Sequence, residues 1–146
     1  MSADSSTDKH TLSNYEEVSV VHADFAWAVD FEASVLRGSV EYTFGVEDGA
    51  EIDTIVLDTN HLNITGVAVM LDEETGGWTE RHMDFVVEEP VACFGSALRI
   101  PLPETWTDEG RLRIEYETTK DSQALQWLTA EQTKDKQQPF LFTQCQ

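Results

Sequence analysis

Asp24-Phe25-Ala26-Trp27-Ala28-Val29-Asp30-Phe31-Glu32 is the stretch that decides the fold class. Phe25, Trp27, Val29 and Phe31 occupy every second position, with small or acidic residues between them. Successive side chains of a strand leave on opposite faces, so a period of two predicts a β-strand with one buried face. The next run repeats the pattern: Val40, Tyr42, Phe44 and Val46 alternate with Ser39, Glu41, Thr43 and Glu47. The segment between the two runs ends at Arg37-Gly38, and the pair is expected to form an antiparallel hairpin.

Working outward, Ile52 to Asp58 reads as a third strand through Ile55 and Leu57. Leu62 and Ile64 continue to Val67, Val69 and Leu71, but the phase of alternation changes at Gly66, which predicts a bulge or a bend between two strands. Asp72 to Gly77 has the composition of a turn. Phe85 to Val87 and Ala97 to Leu102 are shorter apolar runs; Pro101 and Pro103 confine the second to an edge or a strand end, because proline donates no ladder hydrogen bond. Arg111, Arg113, Glu115 and Glu117 alternate with Leu112, Ile114 and Tyr116, a strand whose wet face can pair opposite charges with a neighbour. The one helical signal is Thr129 followed three residues later by Gln132, a weak capping box over Thr129 to Lys134. Lys134 to Gln138, closed by Pro139, reads as a loop, with Leu125, Trp127 and Leu128 as anchors pinning an irregular crossing against the sheet. Six to nine strands and little helix predict an all-β sandwich or curved sheet.

With 146 residues and 40% hydrophobic content, the chain is expected to build one domain around one core. Its net charge of −19 disfavours phosphate-driven contact with nucleic acid and binding to anionic membranes. Met1 to Ser13 is polar and is expected to form a disordered N-terminus, with the β domain running over 14–146. It lacks the apolar core of a secretory signal, and no apolar run approaches the ~20 residues of a membrane helix, so a cytoplasmic address is expected. Cys93 and Cys145 form no C-x-x-C pair, which predicts reduced thiols; Cys145 is expected to be a packed structural residue.

Chemistry-bearing motifs are lacking. There is no H-E-x-x-H, in which histidines one helical turn apart grip one metal while the glutamate activates water. His10, His22, His61 and His82 lie in separate segments, without a carboxylate at helical spacing. G-x-S-x-G, G-x-x-x-x-G-K and G-x-G-x-x-G are absent as well. Asp72-Glu73-Glu74 and Glu88-Glu89 lack the spaced oxygen ligands of a calcium loop and read as solvated charge. No catalytic residue and no metal ligand is assigned.

The tail carries a resemblance. Leu125-Gln126-Trp127-Leu128 and the closing Gln144-Cys145-Gln146 resemble the N-terminal β domain of the leukotriene A(4) hydrolase family, a branch of the zinc aminopeptidases. Val29-Asp30-Phe31 before Leu36-Arg37-Gly38 looks like that family's first hairpin, and Val56-Leu57-Asp58-Thr59 followed by Leu62 and Ile64 like its next strand pair. The resemblance implies a saddle-shaped domain of antiparallel or mixed sheets leaning on a thermolysin-like catalytic domain. It also implies that Gln144 and Gln146 line the substrate pocket and hydrogen-bond a short peptide or, in some members, the epoxide of leukotriene A(4). Zinc is implied for the full-length family, on residues outside this sequence, so no cofactor is expected on this chain. Against the family pattern, the chain is expected to stop before the domain's last strands. The alternative expectation is a stand-alone, non-catalytic β module that binds a peptide or protein partner at unpaired strand edges.

Overall fold

The computed structural model describes residues 10–47, 51–72, 77–104, 106 and 109–144. Among these residues ten strands follow one another: β1 (Val18–Asp30), β2 (Val35–Val46), β3 (Thr54–Thr59), β4 (Leu62–Asp72), β5 (Trp78–His82), β6 (Val86–Val87), β7 (Ser96–Pro101), β8 (Glu109–Thr118), β9 (Leu125–Leu128) and β10 (Phe140–Thr143). A single 3-10 turn, Ala130–Gln132, separates the last two. The strands form a five-stranded sheet ordered β1-β2-β8-β4-β5, a three-stranded sheet ordered β3-β7-β6 and a two-stranded ribbon of β9 and β10. All their pairings are antiparallel, so the parallel component of the mixed alternative is not found among the described residues.

The core lies between the two larger sheets. Val18, Val40, Phe44, Val67, Val69, Leu112 and Ile114 come from one sheet, and Ile55, Leu98 and Ile100 from the other, forming one buried cluster. This is the alternation of the sequence made physical, because positions two apart share a face. Two buried hydroxyls are satisfied: Thr59 Oγ1 donates to the Ser96 carbonyl at 2.9 Å, and Thr118 Oγ1 accepts from Leu36 N at 2.9 Å. Opposite charges meet on the other face of the five-stranded sheet, with Arg37 on Glu117, Arg111 on Glu41 and Arg113 on Glu80 at 2.8, 3.4 and 3.6 Å. The register of β4 against β8 shifts between Ile64 and Gly66, the bulge that the phase change predicts, within one continuous strand. Pro101 closes β7 at a strand end, although β7 itself is the central strand of its sheet.

Four expectations need correction. The β1–β2 connection is Phe31 to Ser34, not the segment ending at Arg37-Gly38. Asp30 builds that turn: its Oδ1 accepts from Ala33 N at 2.9 Å, its Oδ2 from Arg37 Nη1 at 2.7 Å, and Ser34 takes a left-handed φ of 57°. Gly38 lies inside β2 opposite Trp27, where a Cβ would stand 1.9 Å from the Ala26 carbonyl oxygen. Glycine is required there by close approach of β1, not by a turn.

The second correction concerns the face that opens the sequence reading: Phe25, Trp27, Val29 and Phe31 are exposed, because they lie along β1, an edge strand among the described residues, and the turn after it, beyond the end at Val18 that the three-stranded sheet covers. Third, the described residues form ten strands rather than six to nine, and β5, which carries no buried residue, has no apolar period to announce it. Fourth, Leu125 to Leu128 is not irregular coil but a strand whose partner, β10, lies beyond the loop. Of the turn expected over Asp72 to Gly77, residues 73–76 lie outside the described residues, while Asp72 pairs with Trp78 across it. Residues 1–9 of the polar N-terminus also lie outside them. From Thr11 onward the segment is bonded along the outer edge of β3. Thr11 Oγ1 and Leu12 N donate to Asp58, and Asn14 Nδ2 and Oδ1 bond Thr54 O and Val56 N, each at 2.9 Å.

Candidate functional site

The β9–β10 ribbon positions the residues that the tail signature singles out. Phe140 faces Leu128, Leu141 faces Trp127, Phe142 faces Gln126 and Thr143 faces Leu125. Gln144 N donates to the Ala124 carbonyl at 2.9 Å and extends the ladder by one rung. The period of two sorts these residues onto two faces. Trp127 and Leu141 share the inner one, where the Trp127 ring meets Phe31 edge-on at 5.7 Å between centroids. Gln126, Leu128, Phe140, Phe142 and Gln144 share the outer one, and Gln126, Phe140, Phe142 and Gln144 are all exposed. Of the three anchors expected to pin this crossing, Trp127 makes a ring contact with Phe31 in the β1–β2 connection.

The connection is tied by its own polar groups. Gln132 Oε1 accepts from Thr129 N at 2.9 Å, the half of the capping box that the sequence spacing predicts. The Thr133 hydroxyl lies 2.7 Å from the Ala130 carbonyl and 3.0 Å from that of Gln138, drawing the ends of the loop together. Lys136 adopts a left-handed φ of 56° between them. The Thr129 hydroxyl and its own amide hold the Glu131 carboxyl below its ordinary range. Leu128, Gln132, Lys134, Gln138 and Phe140 line an open groove of about 420 Å³ that continues the outer face. Such a surface offers apolar contact from two aromatic rings, with amides that both donate and accept.

Gln146, paired with Gln144 in the sequence reading, lies outside the described residues, as does Cys145. Gln126, Phe140 and Phe142 were not singled out as site residues. The signal that would have found them is the alternation of Phe140 and Phe142 with Leu141, read together with the strand 125–128 as one hairpin across the loop.

A second concavity, about 270 Å³, opens between the two large sheets and is lined by Val20, Tyr42, Leu57, Asp58, Ile114 and Tyr116 among others. Burial pushes both phenols up; a hydrogen bond from Trp27 Nε1 at 2.8 Å partly offsets this at Tyr116. Among the described residues no three His, Cys, Asp or Glu side chains converge to hold a metal ion. Cys93 is exposed and unpaired, at a left-handed φ of 77° in the turn that Val91 and Gly95 close.

The sequence and the fold are similar to those of known proteins. Residues 7–146 match the peptidase M1 N-terminal domain. Leucine aminopeptidase 2 of Yarrowia lipolytica is 39% identical over 139 residues, which are 95% of this chain and 20% of that protein. The namesake of Emericella nidulans is 34% identical, over 95% of this chain and 22% of its own length. Among solved structures, yeast leukotriene A4 hydrolase in complex with bestatin superposes with a TM-score of 0.81 at 33% identity, covering 99% of this chain and 21% of that one. Native leukotriene A4 hydrolase from Saccharomyces cerevisiae gives 0.81 at 34%, over 99% and 22%. The chain thus spans about a fifth of the length of the relatives it matches. The sequence match along nearly the whole chain and the shared all-β architecture agree: this chain belongs to the peptidase M1 N-terminal domain family.

Proposed function

We propose that this chain serves as the N-terminal β domain of a zinc metalloaminopeptidase of the leukotriene A(4) hydrolase type, supplying one wall of the substrate pocket and the surface on which the catalytic domain rests. The observation that carries this reading is the outer face of the β9–β10 ribbon. There Gln144 and Gln126 stand exposed beside Phe140 and Phe142, in the tail whose sequence resembles the family's. A primary amide both donates and accepts, which suits a peptide's own carbonyl and amide groups, while the two rings give an apolar flank. Gln144 and Gln146 then bind and orient a short peptide or a leukotriene epoxide. Bond breaking is left to the catalytic domain. Zinc, which the family implies, has no ligand set among the described residues, so no step is assigned to it on this chain. The exposed, unpaired Cys93 thiol supports a reducing, cytoplasmic setting, and the charge of −19 argues against nucleic acid and anionic membranes as partners.

The test is a fusion in which this chain replaces the matched region of the Yarrowia lipolytica enzyme, assayed on a chromogenic leucine amide. Turnover by the fusion is expected. Gln144→Ala and Gln146→Ala are each expected to lower kcat/KM about tenfold, the loss of one well-placed hydrogen bond, with the melting temperature unchanged. A folded, zinc-loaded fusion without activity would overturn the domain assignment. Unaltered kinetics in both variants would remove the glutamines from the pocket.

A further inference from the structure

The concavity between the two larger sheets holds two phenols that neither the core nor the ribbon uses. Strand register places them. Val40 on β2 faces Ile114 on β8, and these two residues, each 3% exposed, form the floor. Tyr42 stands two residues further along β2 and Tyr116 two residues further along β8. Because the strands are antiparallel, those steps lead in opposite directions, and the two rings flank the floor. Leu57 and Leu98 of the three-stranded sheet line the other side. The space is about 270 Å³. An apolar cavity of about 150 Å³ is already enough to take up benzene.

Both phenols still have a proton to donate. Trp27, Gly38 and Tyr116 share one cross-strand row, and with no side chain at Gly38 the indole spans it, donating from Nε1 to the Tyr116 oxygen at 2.8 Å. That bond uses the oxygen as acceptor and leaves the Tyr116 proton without an acceptor among the described residues. The Tyr42 hydroxyl makes no hydrogen bond among them. Burial, the larger cause at each, raises both phenols, and Tyr116 adds a smaller upward push at Tyr42, so both remain protonated donors at neutral pH. A few polar groups aimed into an otherwise apolar cavity are the usual make-up of a small-molecule site. Charge narrows the ligand further. Asp58 stands at the mouth, its carboxylate held by the Thr11 hydroxyl and by Leu12 N, and the chain carries −19, so an anion is repelled. A cation would leave both phenol protons unanswered.

We propose that this concavity binds a small neutral molecule with an apolar body, seated on Val40 and Ile114, and one carbonyl-type acceptor that takes hydrogen bonds from Tyr42 and Tyr116. No lining residue is shared with the ribbon groove, so occupancy here is separate from the pocket-wall role proposed above.

The test follows the fluorine NMR signal of para-fluoroacetophenone as the 146-residue chain is added. Its matched control is para-fluoroethylbenzene, in which a methylene replaces the carbonyl. The ketone is expected to bind about tenfold tighter than the hydrocarbon, the size of one to two net hydrogen bonds. In the Tyr42→Phe, Tyr116→Phe double variant that ratio should fall to about one, whereas Phe140→Ala on the ribbon should leave it unchanged. Magnetisation transfer from the probe to the Val40 and Ile114 methyls, read in the unaltered chain, locates the site even if the double variant fails to fold. Equal affinity for the two probes overturns the proposal, as does a preference that survives loss of both hydroxyls or transfer confined to other methyls. So does para-fluorobenzoate binding as tightly as the ketone. The titration is repeated on the fusion described above. A retained ketone preference supports the site within a larger enzyme, and its loss overturns it, because the rest of the enzyme then fills the cavity.

Discussion

The middle and the rim of the five-stranded sheet obey the same sequence rule and reach different ends. One cross-strand ladder runs Phe25, Val40, Ile114, Val67 through β1, β2, β8 and β4. Their exposures are 52, 3, 3 and 2%. All four occupy the apolar phase of an alternating strand, yet only three are buried, because the second sheet lies over the middle and, on the rim strand, reaches Val18 but not Phe25. Alternation therefore reports which face is apolar; whether a layer covers that face is decided elsewhere in the chain. The ribbon gives a second instance, with an inner face held by Phe31 and an outer face left to solvent at its two phenylalanines and Gln144.

The sharpest way to break this comparison is to truncate both ends of the ladder. Ile114→Ala is expected to cost about 2–5 kcal/mol, the transfer term plus a cavity, whereas Phe25→Ala should cost no more than about 1 kcal/mol. Urea unfolding of the isolated chain reads both. Equal costs would mean that the rim is already covered in the free domain.

Next in size is the contact that fixes β1 to β2. Gly38→Ala places a methyl 1.9 Å from the Ala26 carbonyl and must push β1 aside, at an expected cost of about 1–3 kcal/mol. Gly66→Ala meets first the mobile end of Glu115, at 3.3 Å, and should change stability by under about 0.5 kcal/mol. The same unfolding curves decide; a harmless Gly38→Ala would show that β1 can slide at no cost.

The opposite rim should respond less. Trp78 on β5 lies under the Arg111 guanidinium at 4.5 Å, and Trp78→Ala is expected to lose about 0.5–1 kcal/mol, with faster amide exchange confined to β5.

The smallest effect belongs to the hairpin turn. The Ala33 amide first, and then Arg37, hold the Asp30 carboxyl below its ordinary range. A carboxyl depressed by folding stabilises the fold fully above its unfolded value, about 3.9, and that contribution is lost as pH falls through the lowered one. Asp30→Asn should therefore flatten the acid limb of the stability profile, slightly, because the pair is open to solvent. Denaturant midpoints measured across that window, at low and high salt, check it.

Much of the fold was legible before any coordinates. The central strands, the Gly66 bulge, Pro101 at a strand end and the charge pairing on β8 all follow from local rules that act within a few residues. Gly38 was misread because glycine serves turns and close approaches alike, and only the position of Ala26 on the next strand tells which. β5 was missed because a strand exposed on both faces has no apolar period. Of the candidate site, Gln144 is proposed from the family resemblance, and the structure places it exposed at the end of the ribbon. Its neighbours Phe140 and Phe142 emerged only when β10 paired with β9 across the loop.

By itself the sequence determined the all-β class, the phase of the apolar rows and the peptidase M1 kinship, because side-chain alternation and a long mixed motif are written residue by residue. Tertiary structure alone decided which apolar rows are covered, why Gly38 must be glycine and that the tail is a two-faced ribbon. Those outcomes depend on segments far apart in the chain meeting in space, and no local pattern encodes where a second layer ends.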